Sequence, residues 1–520
     1  MYSTKVRILN SQLGILQKQS VRSAAVSSTS IKVEDATVPL KSLKDIPGPP
    51  SLPFIGPLHN FLPGGMFYNV KGIELNKKLY EMYGPIVRLD SMLGTDLIIA
   101  LYDADGAAQI LRGQNWMPIR PGFPSLEYYR KNYKHKNEES SKPTGLLTDH
   151  LEPWKEFRSA MNPVMMQPKT IRLYANAIDQ VAQDMISRMK STRDENNMLR
   201  GKFDIEMNLW ALESIAVVAL GTRLNCFDPN LAEDSPARRL IQRVNDFFNC
   251  VEALDYKPTL FKFTRTSRLK KAIKTYEDLE KRRYVISVSV ILEYFIQEAM
   301  EQLKKNKGIS NDEKGVLEKL LEINEEFAYI MAADMLFAGV DTTTNTMLGA
   351  LYLLAINPDK QQKLREEVMS KSDKKPYLRA CIKESMRLMP IAPGNFRKTT
   401  KDFNILGYHI PKDTHILFVH QEMSLNEDYF PRASEFIPER WIVDKDDPLY
   451  HGNAHPFAFS PFGFGVRMCI GRRIAELEVE TLLARIVENF KVEWFGPPAN
   501  VVQSALNYVR GPYNYVLKDV

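Results

Sequence analysis

Cys469 stands in the part of the chain whose residue types point most directly to chemistry. It lies in Phe462-Gly463-Phe464-Gly465-Val466-Arg467-Met468-Cys469-Ile470-Gly471, followed by Arg472-Arg473-Ile474-Ala475-Glu476-Leu477-Glu478. Ile470, Ile474, Leu477 and Leu482 recur near one face of a helix, which places Cys469 at that helix's N-terminus. Free backbone N–H groups and the helix dipole there favour a thiolate, the form that ligates metals. Gly465 and Gly471 permit a tight loop whose amides approach the sulfur and would tune its donation to a bound metal. The plainer alternative is a buried cysteine in a glycine-rich turn.

A second string, Ala338-Gly339-Val340-Asp341-Thr342-Thr343, lies in an apolar segment from about 327 to 356. Gly339 and the threonines are poor choices for a helix interior. They predict a local break that frees a threonine hydroxyl from its i−4 carbonyl and opens space beside the helix; a simple kink is the alternative. Glu384 and Arg387 are spaced i, i+3 and can pair. Pro390 follows them, and Phe436-Ile437-Pro438-Glu439-Arg440-Trp441 comes some fifty residues later. Trp154 and Arg158 share a face at i, i+4, a spacing that any amphipathic turn can show.

Together these strings resemble the cytochrome P450 family. Its motif F-x-x-G-x-R-x-C-x-G is filled by Phe462, Gly465, Arg467, Cys469 and Gly471. Residues Ala338 to Thr343 fit A/G-G-x-D/E-T-T/S, while Glu384, Arg387 and Arg440 fit E-x-x-R and P-E-R-F/W. The resemblance covers essentially residues 45–520, with the elements in the family's order. It implies a mainly α single domain with small β-sheets, in which haem b lies between a long distal helix and the proximal Cys469 loop. Cys469 would be the axial iron ligand, pushing electron density towards O–O cleavage, with dioxygen as co-substrate. Phe462 would pack on the macrocycle, and Trp154, Arg158, Arg397 and Arg467 would face its propionates. Asp341 and Thr342 would help deliver protons, and Ala338 and Gly339 would line the oxygen pocket. Glu384, Arg387 and Arg440 would form a buried ion network that holds the haem-binding core.

Each turnover of such an enzyme needs two electrons, and no flavin-binding or iron–sulfur motif is present to supply them. Arg379 and Lys383 are spaced i, i+4, and Arg472-Arg473 follow Cys469. Such a patch suits an acidic ferredoxin, although an ordinary solvated basic face has the same composition. In the mitochondrial branch of the family, residues matching Arg379 and Lys383 dock a ferredoxin served by an NADPH-dependent reductase. The strings at 208–215 and 337–346 are most similar to insect mitochondrial members, a branch that includes detoxification enzymes and steroid-hormone hydroxylases. This implies a small apolar substrate, with the reading leaning towards xenobiotic oxidation. Substrate contacts would come from about 116–129, 246–263, 335–342, 391–396 and 506–512. Two other functions remain open: a haem-thiolate isomerase or dehydratase acting on peroxides, and a non-catalytic haem-binding sensor.

The elements that must position these residues are mostly helical. Ile178, Val181, Met185 and Met189 keep helical spacing, as do Leu209, Leu212, Ile215 and Val218. Residues 86–89 and 97–100 read as short strands around a turn, and Ile46-Pro47-Gly48-Pro49-Pro50 as a rigid, non-helical entry. The 520-residue chain carries net charge +6. Lys5, Arg7, Lys18, Arg22 and Lys32 supply most of it, and the first acid is Glu34, so the rest of the chain is nearly neutral. That gives no reason to expect a nucleic-acid partner. Residues 1–33 are basic and Ser-rich with an apolar stripe, the composition of a mitochondrial transit peptide, or else a disordered basic tail. The remainder, 34–520, is expected to be one domain. No run approaches the roughly 18–20 apolar residues of a membrane span. A basic stretch at Lys257, Lys262, Arg265, Arg268, Lys270, Lys271 and Lys274, interleaved with Leu260, Phe261 and Phe263, could rest on an anionic membrane surface or be a solvated face. The expected location is peripheral, on the matrix side of the inner membrane. Four well-separated cysteines argue against a disulfide scaffold or a structural zinc site.

Overall fold

Two helices that are apolar on every side form the centre of the molecule, because such helices are stable only when protein covers them all round. The structure, a computed structural model, describes residues 39–520 except 93–94, 115, 135–142, 200–202, 258, 260, 262–263, 281–296, 299, 302–304 and 306–313. The expected transit peptide and Leu260, Lys262 and Phe263 lie outside the described residues. Residues Ser42–Val520 form one unit.

Seven helices matter to the site: α1 (Leu151–Met165), α2 (Ala175–Thr192), α3 (Phe203–Leu220), α4 (Pro236–Asp255), α5 (Glu325–Ala355), α6 (Pro376–Leu388) and α7 (Arg472–Asn489). The central pair is α3 and α5. Asn324 caps α5 by accepting from Phe327 N–H at 2.9 Å, and Glu325 and Glu326 complement the dipole in its first turn. Helix α2 buries the periodic face Ile178, Val181, Met185 and Met189. The main core lies among α2, α3, α5, α6 and α7.

Strands β1 (Ile86–Leu89), β2 (Ile98–Leu101), β3 (Asn395–Lys398) and β6 (His415–Phe418) form a sheet of order β1-β2-β6-β3, and a second core packs beside it. Only β2–β6 is parallel. The small pairs are β4 (Phe403–Ile405) with β5 (Tyr408–Ile410), β7 (Phe490–Trp494) with β10 (Tyr515–Asp519), and β8 (Asn500–Gln503) with β9 (Asn507–Arg510). The proline-rich entry is non-helical. Gly48 lies so close to the chain that a Cβ there would stand 2.0 Å from Arg88 O, a gap only glycine fits. The mainly α class with small sheets is as the sequence implied. Among the described residues, no helix is long and apolar enough to cross a membrane.

Candidate active site

The chain is wound tightly around Cys469. Gly463 and Gly465 take positive φ, 72° and 71°, which side chains would strain. The Cys469 N–H donates to Phe462 O at 2.8 Å. Helix α7 begins at Arg472 with Gly471 as its cap, so Cys469 lies just before the helix rather than in its first turn. The thiol has accessible surface yet is enclosed by protein at depth. Burial pushes its pKa up, while the Gly471 N–H, Arg120, Arg158 and Arg472 pull it down. The thiolate bias expected from the helix terminus is thus outweighed by burial; a coordinated metal ion deprotonates such a thiol outright.

Four guanidiniums share this neighbourhood. Arg467 feels the charges of Arg120, Arg397 and Arg158, and Arg120 and Arg158 both feel the Cys469 sulfur. Burial, then mutual repulsion, lowers the pKa of Arg397 and Arg467. Among the described residues, none of the four is ion-paired to a carboxylate. Arg467 donates to Pro118 O at 3.1 Å and Asp149 O at 2.9 Å, and its guanidinium lies 3.9 Å from the Trp154 ring centroid. Arg397 on β3 donates to Gln114 Oε1 at 3.2 Å and Phe396 O at 2.7 Å. Arg158 donates to Met468 O at 2.9 Å, and its buried Nε has no partner. A guanidinium stays protonated in a protein, so this cluster is costly unless anions meet it. A flat group with two carboxylates, and a metal for the sulfur, relieves both tensions; the residues present fit haem b. Phe462 is partly buried beside the loop, with the Arg472 guanidinium 5.4 Å from its ring.

Helix α5 corrects one expectation. No break occurs: it runs unbroken from Glu325 to Ala355. Thr342 Oγ1 donates to Ala338 O, its i−4 carbonyl, at 2.7 Å. Packing against α3 overrides the weak propensities of Gly339 and the threonines. A Cβ on Gly339 would stand 2.8 Å from Ile215 Cγ1, so its use here is the close approach of α3. In the middle of this helix Ala338 is exposed and Phe337, Gly339 and Thr342 are half-buried, which marks its open side. Asp341 is 2% exposed. Tyr508 OH donates to its Oδ2 at 3.3 Å. Burial raises the Asp341 pKa to about 6, against the Tyr508 hydrogen bond and Arg510.

The scaffold pair is enclosed. Glu384, Arg387 and Arg440 are all 0% exposed. Glu384 accepts from Arg387 Nε (3.0 Å) and Nη2 (2.8 Å), Arg440 Nε (2.9 Å), Trp441 Nε1 (2.9 Å) and Ile437 N (3.2 Å). Arg387 Nη1 reaches Ser424 O at 2.8 Å and Ala433 O at 2.7 Å. One carboxylate thereby ties α6 to the following loops.

The proposed docking cations are not all free. Arg379 Nε is 3.1 Å from both Glu480 carboxylate oxygens, and Arg472 Nε is 2.9 Å from Glu476 Oε1. Lys383 and Arg473 are exposed, and Lys383 Nζ lies 5.6 Å from the Trp441 ring centroid. In the second basic stretch Phe261 is buried, and Lys257 pairs with Glu252 at 2.6 Å. Arg268, Lys270, Lys271 and Lys274 remain exposed.

Three residues were not singled out in the sequence, although Arg120 and Tyr508 fall within the stretches expected to contact substrate. Arg120 carries no periodic signal at all. Glu478 does: it falls between Ile474 and Leu482 on the buried face of α7. It is 1% exposed, with a pKa raised by burial to about 8, and accepts from Thr343 Oγ1 at 3.4 Å. Tyr508 meets Asp341 only through tertiary folding, so no local pattern could reveal it.

A family model described as "Cytochrome P450" matches residues 46–518. The chain is 36% identical to "Cytochrome P450 CYP12A2" of Musca domestica, over 99% of this chain and 97% of that one. It is 37% identical to "Probable cytochrome P450 12b2, mitochondrial" of Drosophila melanogaster, covering 95% of this chain and 94% of the relative. Among solved structures it resembles one titled "Crystal structure of cytochrome P450DA heme domain" at TM-score 0.71 and 19% identity, covering 93% of this chain and 98% of that one, which concerns the fold.

Proposed function

Because this chain belongs to the cytochrome P450 family of haem b monooxygenases, we propose that it inserts one oxygen atom from dioxygen into a small apolar substrate, with electrons from a mitochondrial ferredoxin. The observation that carries the reading is the pairing of the Cys469 loop and its uncompensated arginines with the exposed Ala338–Thr342 side of α5. Cys469 would hold the iron, and Trp154, Arg158, Arg397 and Arg467 the propionates. The bound haem supplies the chemistry of dioxygen activation. Phe462, Gly465 and Gly471 shape the loop around the sulfur. Asp341, with a pKa near 6, is poised to gain and release a proton near neutral pH, and Thr342 would pass it inward once its hydroxyl leaves Ala338 O. Glu384, Arg387 and Arg440 keep α6 and its loops in register with the haem-binding core.

An aromatic cluster supports an apolar substrate. Phe247 and Phe248 on α4 lie 4.2 and 5.5 Å from Phe337 of α5, ring centre to ring centre, and Phe123 lies 5.9 Å from Phe247. A xenobiotic suits this wall. Product carrying the label of isotopic dioxygen tests the reaction itself; label drawn only from water or peroxide would reject it.

The mitochondrial assignment rests on the basic, acid-free 1–33 segment and on the word in the Drosophila relative's name. A matrix-side, peripheral position on the inner membrane follows from the same segment and from the exposed cations of residues 267–280. For electron delivery, Arg379, Lys383, Arg472 and Arg473 form the proposed ferredoxin surface, with an NADPH-dependent reductase behind the ferredoxin. Since Glu480 and Glu476 already hold Arg379 and Arg472, Lys383 and Arg473 carry most of the attraction. Substituting Lys383→Gln and Arg473→Gln together is expected to weaken ferredoxin binding about tenfold at low salt and to flatten its salt dependence. Titration at several ionic strengths checks this, and unchanged affinity with an unchanged salt slope rejects the surface.

A further inference from the structure

Tyr508 joins the C-terminal hairpin to α5 at the carboxyl on which proton delivery depends. The tyrosine is 5% exposed on β9, and its hydroxyl donates to Asp341 Oδ2 at 3.3 Å. The next residue clamps the same turn: Val509 N–H donates to Asn345 Oδ1 at 3.0 Å, and Asn345 Nδ2 donates to Asp341 O at 2.9 Å. The Tyr508 ring lies edge-on to Phe248 at 6.5 Å, so it continues the aromatic wall formed with Phe337. The Arg510 guanidinium, at the exposed end of the strand, stands 4.5 Å from the same ring. The ring therefore touches the aromatic wall, the catalytic acid and a cation at the surface. The Thr342 hydroxyl is meanwhile held by Ala338 O, so both groups of the proton path are turned towards protein partners.

We propose that Tyr508 is a positioning residue that holds the Asp341 carboxyl on the hairpin side, so that proton delivery waits on movement of its ring. The idea rests on the reading of Asp341 as the proton-delivering group. It adds a restraint on that group, carried by a ring that packs beside Phe248. The ionisable groups bearing on Asp341 are Tyr508 and Arg510 from β9; Glu252 of α4 lies near Tyr508, and Glu478 of α7 is bonded to Thr343. Because the Tyr508 hydrogen bond lowers the Asp341 pKa, losing it moves the carboxyl's titration upward.

The test uses full-length, haem-loaded Tyr508→Phe, with loading verified by a carbon monoxide spectrum. Infrared titration of the Asp341 carboxyl, assigned through Asp341→Asn, is expected to give a higher midpoint in Tyr508→Phe than in the parent. Substrate-free NADPH consumption through ferredoxin reductase and ferredoxin is expected to rise about fivefold, the worth of one hydrogen bond. An unchanged midpoint with unchanged substrate-free consumption overturns the restraint. If Asp341→Asn itself turns over substrate at the parent rate, the reading of Asp341 fails instead, so the two failures are told apart.

Discussion

Glu384→Ala is expected to give almost no haem-loaded protein. Five donors converge on this one carboxylate, and three of them belong to the two guanidiniums of Arg387 and Arg440, which have no exposed surface. Removing the acid leaves Arg387 and Arg440 buried without their counter-charge, at a cost of about 3–5 kcal/mol. That is comparable with much of a domain's net stability, typically about 5–15 kcal/mol. The damage would be local first. Trp441 and the Ile437 amide lose their acceptor together, so the loops joining α6 to the Cys469 segment lose their common anchor. Glu384→Gln keeps the shape and part of the hydrogen bonding, and should fall between. The haem-to-protein ratio and melting temperature of the purified variants measure the effect. A Glu384→Ala protein with the parent's haem content and melting temperature would show that the network holds nothing the haem site needs.

Asp341→Asn is expected to lower product formation by roughly a hundredfold or more, the lower end of what a positioned proton-transfer group contributes. The substitution keeps the volume and can still accept from Tyr508, so the fold and the haem environment should be retained. What is lost is a group that changes protonation near neutral pH. With a pKa near 6, Asp341 is mostly neutral in mildly acidic solution and mostly ionised above neutrality; an amide has no such transition. The pH dependence of product formation in the parent should therefore bend near that value and be flat there in Asp341→Asn. Equal rates in the two proteins, with an identical bend, would remove Asp341 from the proton path.

The helical class and the family were legible because both are written locally. Ile178, Val181, Met185 and Met189 announce a helix face by their spacing, and Phe462 to Gly471 crowd five specified positions into one loop. Two kinds of feature were not legible. The first is tertiary override: Gly339 and the threonines read as a helix break, yet α5 runs unbroken through them, with Ile215 packed against that surface. The second is pairing between distant segments. Arg120 beside Arg397, Tyr508 on Asp341 and Glu480 on Arg379 are separated by between 101 and some 280 residues, and no window of sequence contains both partners. Glu478 is intermediate. An acid on the apolar face of a helix was visible in the string, but its partner Thr343 lies across the site.

The most direct test is a carbon monoxide difference spectrum of the haem-loaded protein lacking residues 1–33, reduced through ferredoxin reductase and a mitochondrial ferredoxin. A strongly red-shifted Soret band of the thiolate type is expected, and it should vanish in Cys469→Ser. The same band appearing only with a chemical reductant would leave Cys469 as the ligand and contradict ferredoxin as the donor. No such band by either route would contradict the haem-thiolate account itself.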